Sequence, residues 1–184
     1  MTMKNRVSAA EIKRRFKAGA AACALATSLI IVGGTSALAQ TPSKINQFKA
    51  WGAYSYNDNS SKVCYILSIP TEKKPSDRDH GDVFFLVSQK PGQNVAYEPQ
   101  VEVGYPFKEN SEVRVNIDGK NYVMFTKGKN AWMKNAAEEP ALVSSMRAGS
   151  NMTVSGMSRR GTETSYNYSL SGVTAALKEI AKCK

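Results

Sequence analysis

The chain is 184 residues long, with 25 Lys and Arg against 15 Asp and Glu and a formal net charge of +10. Half of that excess sits in residues 1–39, which hold six bases and the single acid Glu11, so the remainder is only mildly basic. Its Lys and Arg are scattered, and no nucleic-acid motif accompanies them. That pattern argues against a nucleic-acid partner and describes a solvated basic surface.

The chain opens with Lys4, Arg6, Lys13, Arg14, Arg15 and Lys17. Residues 18–34 then carry no charge, and Ala37 and Ala39 occupy the small-residue positions of an A-x-A exit. Basic start, short apolar centre and small exit are the pattern of a cleavable secretory signal over residues 1–39, cut to leave Gln40 first. A retained membrane anchor is the weaker reading, because the run reaches the roughly 20 residues of a span only by counting its Gly, Ala, Ser and Thr. Cys23 lies at the start of the apolar run, the wrong place for a lipid-bearing cysteine. Residues 40–49 read as a polar, irregular lead-in. Residues 50–184 read as a single domain, long enough for its own core.

Short β-type runs follow at 51–56, 62–69, 82–89, 100–107 and 112–117. In the last, Val113, Val115 and Ile117 alternate with Glu112, Arg114 and Asn116, the mark of a half-buried strand. Asp118-Gly119 predicts a hairpin into the alternating Tyr122, Met124 and Thr126. A second hairpin is expected over 152–170, turning at Arg159-Arg160-Gly161. Between the strands, 70–81 is the longest polar interruption and reads as a mobile surface loop. Two helices are expected. One spans 138–149, with Pro140 in its first turn and Gly149 at its end. The other spans 171–183, with Val173, Ala176, Leu177 and Ile180 on one face and Ser171 or Thr174 as cap. The fold class is mainly β: an antiparallel β-sandwich with one or two short helices, one of them C-terminal.

Once the signal leaves with Cys23, Cys64 and Cys183 are an even pair in an oxidising compartment, and a structural disulfide is expected. Neither sits in a C-x-x-C. Catalytic signatures are scarce. The one histidine, His80, stands in the polar run Asp77-Arg78-Asp79-His80-Gly81 and reads as solvated, without the second ligand a metal site needs. No cofactor is expected. Trp51 and Trp132 read as core rather than as a ligand groove. Arg159 and Arg160 have two readings: a soluble turn closed by Gly161, or contacts to carboxylate or phosphate from side chains leaving the tip on opposite sides.

Trp51 with Tyr54, the V-C-Y-I of 63–66, Gly104 to Phe107, Gly128 to Trp132, the L-V-x-x-M-R-x-G of 142–149 and the S-x-R-G-T-x-T ending that starts at Ser158 and closes on Cys183 span nearly the whole domain. In these the sequence resembles the invasion-associated locus B family of exported proteobacterial proteins. The resemblance implies an immunoglobulin-like β-sandwich, a periplasmic or outer-membrane-associated location, no catalytic activity and, in some pathogens, a link to host-cell invasion. It carries over no site residues. The expected function is a non-enzymatic envelope protein whose partner is another envelope protein, a glycan or the outer membrane surface. The alternatives are an enzyme on an envelope polymer and a chaperone-like binder with an open sheet edge.

Overall fold

A computed structural model describes residues 41–58 and 61–183. The signal segment, its cleavage residues Ala37 and Ala39, and Gln40 lie outside the described residues.

Eleven strands form one continuous antiparallel sheet. In chain order they are β1 (Ser43–Phe48), β2 (Trp51–Asp58), β3 (Ser61–Ser68), β4 (Glu72–Lys74), β5 (Phe84–Lys90), β6 (Val95–Glu102), β7 (Glu112–Ile117), β8 (Lys120–Lys127), β9 (Asn130–Met133), β10 (Asn151–Met157) and β11 (Glu163–Ser169). Their order across the sheet is β1-β2-β3-β5-β6-β9-β8-β7-β10-β11-β4. Among the described residues there are two α-helices, α1 (Glu139–Ala148) and α2 (Val173–Ile180).

The mainly β antiparallel architecture and the C-terminal helix are therefore as the sequence predicts. The sheet doubles over on itself, which brings strands far apart in its order face to face. Phe85 of β5 stands edge-on to Trp51 of β2 at 6.3 Å and to Tyr168 of β11 at 6.0 Å. The Trp51 indole N–H donates to the Ser169 carbonyl at 2.9 Å, so even this buried ring's polar atom is satisfied. Leu142, Val143 and Met146 of α1 and Val173, Ala176, Leu177 and Ile180 of α2 pack into the same core. Cys64 of β3 is bonded to Cys183 just beyond α2, with a Cα–Cα distance of 6.0 Å across a sequence separation of 119. In the chain-entropy model, closing so long a loop stabilises by about 4–5 kcal/mol.

Several local expectations change. Residues 43–48 form an edge strand rather than an irregular lead-in. Its side chains are almost all exposed, so no apolar alternation marks it, and the backbone bonds to β2 make it. The 100–107 run ends as a strand at Glu102; its strand begins earlier, at Val95, and keeps Pro99 inside. Part of the supposed mobile loop is β4, paired to β11. The short β9 went unseen because two of its four residues, Asn130 and Ala131, are weak strand formers.

Gly149 closes α1, its N–H donating to the Ser145 carbonyl at 2.8 Å. Neither Ser171 nor Thr174 caps α2. Gly172 does, with φ of 95° and no side-chain cap. A Cβ there would lie 2.0 Å from the Phe48 carbonyl oxygen, so the helix can start against the β1–β2 turn only on glycine.

Candidate functional site

Three segments converge beside the β10–β11 hairpin: residues 75–82, residues 104–107 and the hairpin tip at 158–162. The tip is held on both sides. The Arg159 N–H donates to the Pro106 carbonyl at 2.9 Å, the Ser158 N–H to the Thr162 carbonyl at 2.9 Å and the Thr162 N–H to Ser158 Oγ at 3.1 Å. The 75–82 segment is docked on Gly104. The Gly104 N–H donates to the His80 carbonyl at 3.2 Å, and a Cβ on Gly104 would sit 2.5 Å from that oxygen. Backbone approach this close is open only to glycine.

The docking buries His80, which is only 5% exposed. This corrects the expectation of a solvated histidine on a mobile loop. Its Nε2 lies 2.8 Å from the Pro75 carbonyl, which only accepts, so Nε2 carries the proton. Its Nδ1 lies 2.9 Å from the Tyr166 hydroxyl. The Tyr166 hydroxyl lies 2.5 Å from that of Tyr105. Tyr105 donates to Thr164 Oγ1 at 2.7 Å, and Thr164 donates to the Gly156 carbonyl at 3.1 Å. A hydrogen-bonded chain of side chains thus runs from the 75–82 segment into the hairpin. Burial pushes the Tyr105 hydroxyl above its usual phenol value. It pushes that of Tyr166 further in the same direction, with Tyr105 beside it adding to the rise. Both stay neutral donors through the ordinary pH range.

Above this floor opens a cavity of about 310 Å³. Its rim carries Arg78, Arg159 and Arg160 against the single acid Asp79, and its lower wall carries His80, Tyr105, Ser158, Thr162 and Thr164. The two tip arginines do not part to opposite sides; both line this cavity. Arg78 stands 3.7 Å from Asp77, whereas no carboxylate pairs with Arg159 or Arg160 among the described residues. Asp79 is occupied in accepting from the Gly81 N–H at 2.8 Å. Fork-shaped guanidinium groups over hydroxyl donors suit a planar or tetrahedral anion, carboxylate or phosphate. The volume is at the small end of ligand cavities.

The other candidates lie elsewhere. Cys64 and Cys183 are consumed in the disulfide. Trp51 is core, while Trp132 is half-buried on the outward face beside Phe125, outside the core. Among the described residues, no group of three or more His, Cys, Asp or Glu is placed to hold a metal, and no helix is long and apolar enough to cross a membrane. The pair Arg159-Arg160 was visible in the sequence; Arg78 and the His80-Tyr166-Tyr105-Thr164 chain were not.

The family model for the invasion associated locus B (IalB) protein matches residues 51–181. Among solved structures, the crystal structure of invasion associated protein b from Bartonella henselae has a similar fold, with a TM-score of 0.51 at 14% identity. The match covers 74% of this chain and 93% of that one. At that identity the likeness concerns the fold alone. No curated protein matches the chain.

Proposed function

The chain belongs to the invasion associated locus B family, and from that premise we propose that it is an exported, non-enzymatic envelope protein that works by binding, with the arginine-rimmed cavity holding an anionic group of its partner. The observation that carries this reading is the pair Arg159 and Arg160. It stands without a carboxylate partner among the described residues, on a turn pinned by backbone bonds, beside the hydroxyls of Ser158 and Thr162. The pinned turn fixes where both arginines leave the backbone, so an arriving anion has only their side chains to order.

Other features support the same reading. Both ring nitrogens of His80 are engaged and the ring is buried, so it does not offer a free base to an enzyme acting on an envelope polymer. The sheet edges β1 and β4 carry Lys44, Glu72, Lys73 and Lys74, and charge at an edge discourages the strand addition of a chaperone-like binder. Export rests on the signal pattern of residues 1–39.

Thermal unfolding with added inorganic phosphate or citrate tests the site. The anion should raise the melting temperature of the wild type by mass action, and Arg159→Ser with Arg160→Ser should abolish the rise. An equal rise in both proteins overturns the assignment. Mass spectrometry of protein recovered from the cell envelope tests export: the N-terminus should be Gln40, and Ala37→Phe with Ala39→Phe should block the cut.

A further inference from the structure

The sheet has a second cavity, which shares no lining residue with the arginine cavity. Inward residues of β2, β3 and β5 such as Ala53, Cys64, Ile66, Phe85 and Val87 are buried. The residues alternating with them face outward, and they are not the polar set that a solvated face calls for. Tyr54 pairs across the strands with Tyr65, and Leu67 with Leu86. Tyr54 and Tyr65 stack at 5.3 Å with 18° between their planes, and Tyr56 meets Tyr65 edge-on at 6.1 Å. Tyr56 and Tyr65, with Phe84, wall a cavity of about 320 Å³.

The far wall is polar. On the same face, β6 places Gln100 opposite Leu86 and Glu102 opposite Phe84. Gln100 donates to Asn130 Oδ1 at 2.8 Å and keeps its own amide oxygen as an acceptor. Lys90 is already spent on Glu98. Glu102 has no ion-pair partner among the described residues.

We infer that this face docks a glycan chain built of amino sugars. A pyranose ring offers one face of polarised C–H groups, which the electron-rich faces of Tyr65 and its neighbours attract, and a rim of hydroxyls. Gln100 and Glu102 are placed to meet that rim, and the unpaired Glu102 carboxylate accepts the N–H that an amino sugar adds. An acyl chain would bury the carboxylate and amide without partners. A polyanion, nucleic acid or acidic polysaccharide, would meet the Glu102 carboxylate in a cavity whose one lining cation, Lys90, is already paired with Glu98.

Isothermal titration of the purified protein with chitotetraose, cellotetraose and tetragalacturonate tests the inference. Chitotetraose should bind several-fold tighter than cellotetraose, and tetragalacturonate should bind only through the arginine cavity, so that Arg159→Ser with Arg160→Ser removes its binding. Tyr65→Ala with Phe84→Ala should weaken chitotetraose binding at least about tenfold. Glu102→Ala leaves the rings in place and decides the question even if the double variant misfolds: it should erase the preference for chitotetraose over cellotetraose. Arg159→Ser with Arg160→Ser should leave the chitotetraose and cellotetraose titrations unchanged, which separates this surface from the anion cavity. No heat with chitotetraose up to about 10 mM, tetragalacturonate binding as tightly to the arginine variant, or loss of chitotetraose binding in that variant would each overturn the inference.

Discussion

Around Cys64 and Cys183 the protein is held by apolar packing and one covalent bond: Ala53, Ile66, Ala176, Leu177 and Ile180 exclude water, and the bridge ties α2 to β3. Around His80 the same sheet is held by buried polar groups that satisfy one another in series, from the Pro75 carbonyl through Tyr166 and Tyr105 to Thr164. The first arrangement is non-directional and survives small shifts. The second is directional, since removing one member leaves its neighbours buried and unpaired. The rigid, direction-sensitive region is also the one that supports the arginines. A binding rim must be held in a fixed geometry, and hydrogen bonds set geometry where dispersion contacts set only distance.

The contrast is testable, and the covalent side should give the largest effect. Cys64→Ser should cost about 4–5 kcal/mol, read from urea unfolding, with the loss falling on the unfolded-state entropy that the long loop restricts. Equal stability of variant and wild type would show that the bridge constrains nothing. On the polar side, His80→Ala should cost about 2 kcal/mol, by leaving the Tyr166 hydroxyl and the Pro75 carbonyl without their partner. A loss well under 1 kcal/mol would mean that water replaces the ring and that the region is softer than its hydrogen bonds suggest.

Tyr166→Phe should cost less at neutral pH, about 1 kcal/mol, and change the shape of the pH dependence. Its folded-state value is raised above the ordinary 10.0 by burial. Below that pH both folded and unfolded chains hold the proton, so the contribution is constant. Above it the unfolded chain releases the proton while the folded chain keeps it, so stability falls as pH rises. Unfolding measured between pH 8 and 11 should show a shallower alkaline fall in Tyr166→Phe than in wild type, by up to about 1.4 kcal/mol per pH unit. Parallel curves would place the Tyr166 hydroxyl in solvent contact.

How much of each region was legible in the sequence follows from the forces involved. The apolar region writes itself into local spacing: Val113, Val115 and Ile117 at period two, Val173, Ala176, Leu177 and Ile180 at helical period, and two cysteines with one partner each. The polar region does not. His80 sits among Asp77, Arg78, Asp79 and Gly81, all exposed, and its partner Tyr166 lies 86 residues away. What buries it is the close approach of Gly104, whose meaning appears only in three dimensions. Edge strands β1 and β4 escaped for a related reason, since hydrogen bonds to a neighbouring strand define them and their exposed side chains do not. The outward aromatic face left no local mark either, because Tyr and Leu alternating with core residues give no polar phase to show which side faces out.

The smallest expected effect bears on where function separates from stability. Arg159 and Arg160 are exposed, and what anchors the tip is backbone bonding, to Pro106 and between Ser158 and Thr162. Arg159→Ser with Arg160→Ser should therefore change stability by no more than about 0.5 kcal/mol, as surface substitutions away from packing and caps do. Removing two neighbouring positive charges also relieves their mutual repulsion, which favours the variant at low salt by an amount that shrinks as salt screens the pair. If the loss were instead comparable to that of His80→Ala, the guanidinium groups would belong to the polar framework, and the cavity they rim would be a by-product of folding. A stable variant that no longer responds to phosphate or citrate would place the arginines outside the framework that supports them, as a binding rim requires.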